Sequence, residues 1–188
     1  MLINGDYFVN TAALGLAPAI ARSTPHTFKA IFGRLAYLIV GIIKFLSFKP
    51  FQVQITEGDH RRDFVALQVL LANGRYFGGM LVAHDASPES RNVTVQIING
   101  PSRWNLIRAW WAVATGRRPD PKIVAELVIS DAVIEAEPRQ YVSIDGEVAA
   151  RTPIHLTMAH EALNVMVPAE FDDTDDDRRC SSPPETTT

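Results

Sequence analysis

One carboxylate in this sequence stands where it could take a proton from an alcohol. Asp145 closes the run Tyr141-Val142-Ser143-Ile144 and is followed by Gly146-Glu147. Apolar residues alternate before the Asp-Gly pair and a polar–apolar pattern resumes after it. That predicts a β-hairpin whose two-residue type I′ turn is Asp145-Gly146. A carboxylate held at a strand end by such a turn can accept a hydroxyl proton and fix that hydroxyl in place, the work of a general base. An ordinary hairpin tip carrying a solvated aspartate has the same pattern, and the turn alone does not choose.

Other chemistries lack their residue patterns. Neither GxxxxGKS/T nor GxGxxG occurs, so no Gly-rich loop for nucleotide phosphates is evident. HExxH is absent, and His26, His60, His84, His155 and His160 show no ligand spacing. No Ser/His/Asp set declares itself. Cys180 is the single cysteine, which excludes an intrachain disulfide and a Cys-based zinc site and fits a reducing compartment.

The elements that must position Asp145 belong to one domain-sized chain of 188 residues, 47% hydrophobic, enough for a proper core. The net charge of −3 conceals an asymmetry. Residues 1–118 carry 13 Lys/Arg against 6 Asp/Glu, a balance of +7, whereas residues 119–188 carry 5 against 15, a balance of −10. A basic first part suits phosphate groups or an anionic membrane surface, although the same charges would also solvate loops and helix faces. No secretory signal peptide is expected, because Asp6 and Asn10 interrupt the early apolar residues.

Along the chain, Tyr7 to Leu14 reads as a strand closed by Gly15, and Pro18 as the start of a short helical turn. Over His26 to Lys49, apolar residues at Phe28, Ile31, Leu35, Leu38, Ile42 and Phe45 mark a long helix with one buried stripe. Its longest uncharged run, Leu35 to Ile43, is nine residues, short of the roughly 20 that a bilayer span needs. From Pro50 the period becomes two. Phe51-Val53-Ile55, a Glu57-Gly58-Asp59 turn and a return strand over Phe64 to Ala72 predict a hairpin, and Asn73-Gly74 reads as a second primed-turn pair. Val93-Val95-Ile97 alternate again. Further strands follow at Val124 to Ile129, Ala132 to Ala136, Tyr141 to Ile144, Ile154 to Thr157 and Leu163 to Val167.

Between these strands, Ser102 reads as the cap of a helix from Arg103 to Thr115, with Gly116 as its stop. This segment holds Trp104, Trp110 and Trp111 beside Arg103, Arg108, Arg117 and Arg118, with no acid. Two readings stay open: Trp104, Ile107, Trp111 and Ala114 face the core, or the helix is interfacial. Trp110, off that stripe, separates them. Many short strands with regular turn signals plus two helices predict a β-sandwich or barrel.

Four blocks together resemble a family. Asn4-Gly5-Asp6-Tyr7-Phe8-Val9-Asn10 with Ala13-Leu14-Gly15-Leu16-Ala17, and then Gly33-Arg34-Leu35-Ala36-Tyr37, are similar to the opening of the second domain of the bacterial soluble diacylglycerol kinase/sphingosine kinase-like lipid kinases. Asn73-Gly74-Arg75-Tyr76 with Gly78-Gly79-Met80 and Asp85-Ala86-Ser87-Pro88 resemble the next block. Val142-Ser143-Ile144-Asp145-Gly146-Glu147, Thr152-Pro153 and Val165-Met166-Val167-Pro168 resemble the closing one.

The resemblance implies a mainly β fold: an antiparallel β-sandwich of the lipid kinase C-terminal type, with one long helix and one or two shorter ones. The domain is expected over residues 1–169, followed by a disordered acidic tail over 170–188. It implies ATP-dependent phosphorylation of a lipid hydroxyl, with Asp145 as the catalytic general base. The family's Gly-Gly-Asp-Gly signature lies in a nucleotide-binding domain and does not occur here. ATP and Mg are therefore implied for the family, while binding by this chain alone is not expected. The implied partners are a lipid substrate such as diacylglycerol, a nucleotide-binding domain in trans and a peripheral membrane surface, with no nucleic acid. The implied location is cytoplasmic, peripheral at the inner membrane face. Departures from the family are the absent third glycine at Gly78-Gly79, His84 in place of a frequent proline, and Ser90-Arg91 where an Asp-Gly commonly helps to hold a cation. No metal residue is assigned. The alternative expectations are a non-catalytic lipid- or membrane-binding module and a truncated gene product.

Overall fold

A computed structural model describes residues 1–23, 41–86, 91–159, 162 and 166. Its strands are β1 (Leu2–Ile3), β2 (Asp6–Tyr7), β3 (Thr11–Gly15), β4 (Phe51–Glu57), β5 (His60–Ala72), β6 (Tyr76–Phe77), β7 (Met80–Leu81) and β8 (Val93–Asn99), then β9 (Val124–Ile129), β10 (Ala132–Glu137), β11 (Tyr141–Ile144), β12 (Glu147–Arg151) and β13 (Ile154–Thr157). Helix α1 spans Leu16–Ser23, α2 is described over residues 41–47, and α3 spans Trp104–Ala114.

β5 organises the sandwich, because it belongs to both layers. Its first half pairs with β4 from Glu57↔His60 to Phe51↔Ala66. Its second half pairs with β3, Thr11↔Ala72 to Gly15↔Gln68, and on the opposite edge with β8. One layer thus runs β12-β11-β3-β5-β8-β9, and the other runs β5-β4-β10-β13-β1-β2. All pairings are antiparallel.

The period-two pattern explains what each face buries. Ala12 and Leu14 of β3, Val69 and Leu71 of β5, and Val93, Val95 and Ile97 of β8 meet Val53, Ile55, Ile134, Ile154 and Leu156 of the second layer in one core. The alternate residues Ala13, Leu70 and Ala72 face the other way and are covered by Val82, Ala83 and Ala86, with Phe77, Met80 and Val113 against them. The first layer is therefore buried on both faces at β3 and the second half of β5. Gly15 allows the turn into α1: its φ is +110°, and a Cβ there would lie 2.6 Å from the Leu67 carbonyl oxygen.

The sequence expectations hold for β9, β11 and β13 to the residue. Several differ in detail. The strand expected over Tyr7 to Leu14 is broken at residues 8–10, so β2 and β3 are separate. β5 starts at His60, because backbone pairing with β4 continues through the exposed, polar His60-Arg61-Arg62-Asp63. Neither Asn73 nor Gly74 takes a positive φ, so the expected primed turn is absent there; Gly78-Gly79, at φ +60° and +82°, makes such a turn between β6 and β7.

Ser102 is not the N-cap of α3. Arg103 occupies that position with no side-chain cap bond. Gly116 does end the helix: its amide donates to Val113 O at 3.0 Å and that of Arg117 to Ala112 O at 2.8 Å, with Gly116 at φ +68°.

The core-facing stripe considered for α3 is reversed. Ala109, 4% exposed, is the buried residue, packing with Ile123, Val124 and Ile98, while Trp104, Ile107, Trp111 and Ala114 are exposed. The small Ala109 side chain lets the helix backbone approach the sheet closely, which a tryptophan would prevent. The expected helix over His26 to Lys49 is described only in its last part. Its earlier residues, Ser87-Pro88, nearly all of Leu163 to Val167 and the tail over 170–188 lie outside the described residues.

Candidate functional site

Asp145 sits at the tip of the β11–β12 hairpin. Its φ is +45° and that of Gly146 is +94°, the left-handed pair a type I′ turn requires. Asp tolerates this region because its short polar side chain can bond locally. Here the side chain turns toward the lead-in to β3 instead. Asp145 Oδ2 accepts the Val9 amide at 2.8 Å, and Oδ1 accepts the amides of Asn10 and Thr11, each at 2.9 Å. The Asp145 amide in turn donates to Thr11 O at 2.8 Å. Register explains the meeting, since Ile144 pairs with Ala12 in an antiparallel ladder, which sets Asp145 beside Thr11 at the same sheet end.

A third segment joins them. Thr11 pairs with Ala72, so β5 ends beside the start of β3. The amides of Asn73 and Gly74 donate to Asn10 O at 3.0 and 2.9 Å, and Asn73 Nδ2 donates to Val9 O at 2.7 Å. The Asn10 side chain lies over Gly74, with Nδ2 donating to Tyr76 O at 3.0 Å, and a Cβ on Gly74 would collide with Asn10 Oδ1. Gly74 thus lies close under the Asn10 side chain and does not make a turn. Residues from three of the blocks singled out in the sequence (around Asn10, Asn73 and Asp145) converge at one end of the first layer.

Asn10 and Asn73 escaped the motif reading as site organisers. The signal available was the Asn-Gly pair itself, which local chemistry assigns to a turn.

The carboxylate has about four lone-pair positions, three of which the amides take, leaving one on Oδ2. Asp145 is exposed, so that position is open to solvent or to a donor such as a hydroxyl. Three short amide bonds fix the oxygens in place before any ligand arrives.

The neighbouring loop holds an ion pair. Both Asp85 oxygens accept from Arg118, at 2.9 Å each, and the hydrogen bonds from Arg118, followed by its charge, hold the Asp85 carboxyl below its ordinary range. The Arg118 guanidinium is correspondingly pushed up. Arg75 Nε donates to Ala86 O at 3.2 Å, tying this loop to the segment after Asn73. Among the described residues no group of three His, Cys, Asp or Glu side chains is placed to hold a metal ion, and Asp85 is engaged by a guanidinium. These residues do not fit a divalent cation.

A concavity of about 690 Å³ lies elsewhere, along β4, β5 and β10, lined by Gln54, Arg61, Asp63 and Glu135 together with the apolar Phe64, Val65 and Pro153. Its lining does not include Asp145.

Comparisons with known proteins bear on the fold and the family. The family model for the YegS C-terminal NAD kinase beta sandwich-like domain matches residues 11–167. Proteins named "Putative lipid kinase" from Staphylococcus aureus strains JH9 and Newman are each 26% identical over 179 residues, covering 87% of this chain and 54% of theirs. A solved diacylglycerol kinase structure from Bacillus anthracis strain Sterne superposes with a TM-score of 0.55 at 15% identity, covering 83% of this chain and 49% of that one. A second from the same organism, described as a "putative diacylglycerol kinase", gives 0.62 at 19% identity, covering 84% and 52%. At these identities the structural likeness speaks for fold. The chain spans about half the length of the curated relatives it matches.

Proposed function

Because this chain belongs to the YegS C-terminal NAD kinase beta sandwich-like domain family, we propose that it is the acceptor-side half of a lipid kinase of the diacylglycerol kinase type. In this reading Asp145 receives the proton of a lipid hydroxyl. The observation that carries it is the pre-set carboxylate: three amides hold Asp145, and one acceptor position on Oδ2 remains open.

A hydroxyl donating to that position would be oriented and, as its oxygen attacks a phosphoryl group, deprotonated. The amides keep the carboxylate from turning away, so the alcohol meets it in a fixed geometry. The phosphoryl donor would be ATP, held by a nucleotide-binding domain outside these residues. The chemistry assigned here is the acceptor side alone, since the described residues do not fit a cation and the sequence has no phosphate-cradling loop. A lipid such as diacylglycerol is the acceptor that the relatives' names favour.

A second reading has its own observation. The same three amide bonds make Asp145 a structural clasp between the closing hairpin and the lead-in to β3. A domain in which it did only that would be a lipid- or membrane-binding module without catalysis.

The test is reconstitution. The chain alone should transfer no phosphate from ATP to diacylglycerol in mixed micelles, and mixing it with a family nucleotide-binding domain should restore transfer. Calorimetry showing micromolar ATP binding by the chain alone would overturn the division of labour. Asp145→Asn in the reconstituted pair should lower turnover by about 10²–10⁴-fold, and a loss below about tenfold would leave Asp145 with the clasp role only.

A further inference from the structure

The outward face of α3 is more apolar than the face it buries. At about 100° per residue, Trp104, Ile107, Trp110, Trp111 and Ala114 fall within one arc of the helix. Trp104, Trp110 and Trp111 are 69%, 55% and 62% exposed, and Ile107 and Ala114 are exposed beside them. Ala109 and Val113 supply the opposite, sheet-facing side. A soluble domain ordinarily turns such a stripe inward, and three neighbouring exposed tryptophans need a partner phase.

The charges around the stripe are of one sign. From residue 103 to residue 118 there are four arginines and no acid. Arg118 is neutralised by Asp85, whereas among the described residues Arg103, Arg108 and Arg117 have no carboxylate partner. The Arg103 guanidinium donates to Leu46 O, bringing the end of α2, with exposed Leu46, beside the start of α3. With 11 residues the helix is about 16 Å long, too short to cross a bilayer but suited to lying along one. Indole rings favour the headgroup boundary, where the ring is sheltered and the N–H stays wet.

We propose that this face of α3 docks on an anionic lipid bilayer, with the tryptophans entering the headgroup boundary and Arg103, Arg108 and Arg117 facing anionic headgroups. The proposal deepens the lipid-kinase reading by locating where the chain meets its lipid. Adhesion is measured without nucleotide, so its failure and that of the kinase reading are distinguishable.

The experiment uses the 188-residue chain with vesicles of phosphatidylglycerol and phosphatidylcholine, and with phosphatidylcholine alone. Tryptophan emission should shift to the blue with the anionic vesicles only, and cosedimentation should weaken as salt rises. Trp104, Trp110 and Trp111 changed together to Ser should abolish cosedimentation. Arg108→Gln with Arg117→Gln should weaken it about 25-fold, taking about fivefold for each basic residue at an anionic surface. The arginine pair is exposed and makes no side-chain bond within the described residues, so it tests the idea even if the serine variant fails to fold. Three results would overturn the proposal: no binding by the parent, unchanged binding by the arginine variant, or a tryptophan-dependent dimer with no vesicle binding.

Discussion

The backbone amide of Asn10 donates to Oδ1 of Asp145 at 2.9 Å across 135 residues of sequence. The lead-in to β3 and the closing hairpin therefore share one carboxylate. Whatever chemistry Asp145 performs, it performs from a position set by a distant part of the chain.

Asp145→Asn separates clasp from catalyst. The amide oxygen can still accept from Asn10 and Thr11, but the new NH₂ group faces the Val9 N–H, which loses its acceptor. Stability should fall by about 1 kcal/mol, the low end for a lost acceptor because the site is open to water. Urea unfolding measures this. An unchanged midpoint would mean that the Val9 bond contributes nothing in solution.

Gly74→Ala tests the contact with Asn10. The added methyl collides with Asn10 Oδ1, so the variant should lose about 1–3 kcal/mol, the range for overpacking. Asn10→Gly in the same background should recover part of that loss, giving a non-additive cycle. Additive losses would place the two residues apart.

The orientation of α3 can be read by stability. Ala109→Leu should cost about 1–3 kcal/mol, because the helix backbone lies against Ile98, Ile123 and Val124 there. Trp110→Ser should stay within about 0.5 kcal/mol of the parent. A large loss for the tryptophan and none for the alanine would turn the helix over.

The Asp85–Arg118 pair gives a pH dependence with a definite sign. The folded protein holds the Asp85 carboxyl below its unfolded value, so the unfolded chain takes up the proton first as pH falls. The pair's contribution is complete above the ordinary carboxylate range, about pH 4, and is lost as pH drops through the lower folded value. The raised Arg118 value lies too far alkaline to matter in this window. Asp85→Asn should therefore flatten the acid limb of the stability profile slightly. Both side chains are 64% exposed, so added salt should shrink the difference. An acid limb as steep as the parent's would show that the pair contributes nothing.

These outcomes bear on what the sequence made legible. The Asp145-Gly146 turn was readable because both positive-φ positions are met by the two residues themselves. Asn73-Gly74 offered the same local signal, yet what Gly74 satisfies there is the side chain of Asn10, a requirement no local pattern carries. The strands were legible wherever one face is buried, as in β10 and β13. The first half of β5 was not, because its residues are polar and only its backbone belongs to the sheet. In α3, periodicity shows two apolar faces but cannot say which is inward; the answer came from the small size of Ala109, not from hydrophobicity.

The pairing of β1 with β13, Leu2 opposite Thr157, sets a condition on biosynthesis. The second layer closes only when the strand over Ile154–Thr157 arrives beside both β1 and β10. During translation the earlier strands wait with unpaired edges, and β3 likewise waits for β11. Such long-range closure is slow compared with local hairpins, and open edges invite pairing with other nascent chains. A ribosome stalled before Ile154 would release a chain with the makings of a core and no means of sealing it.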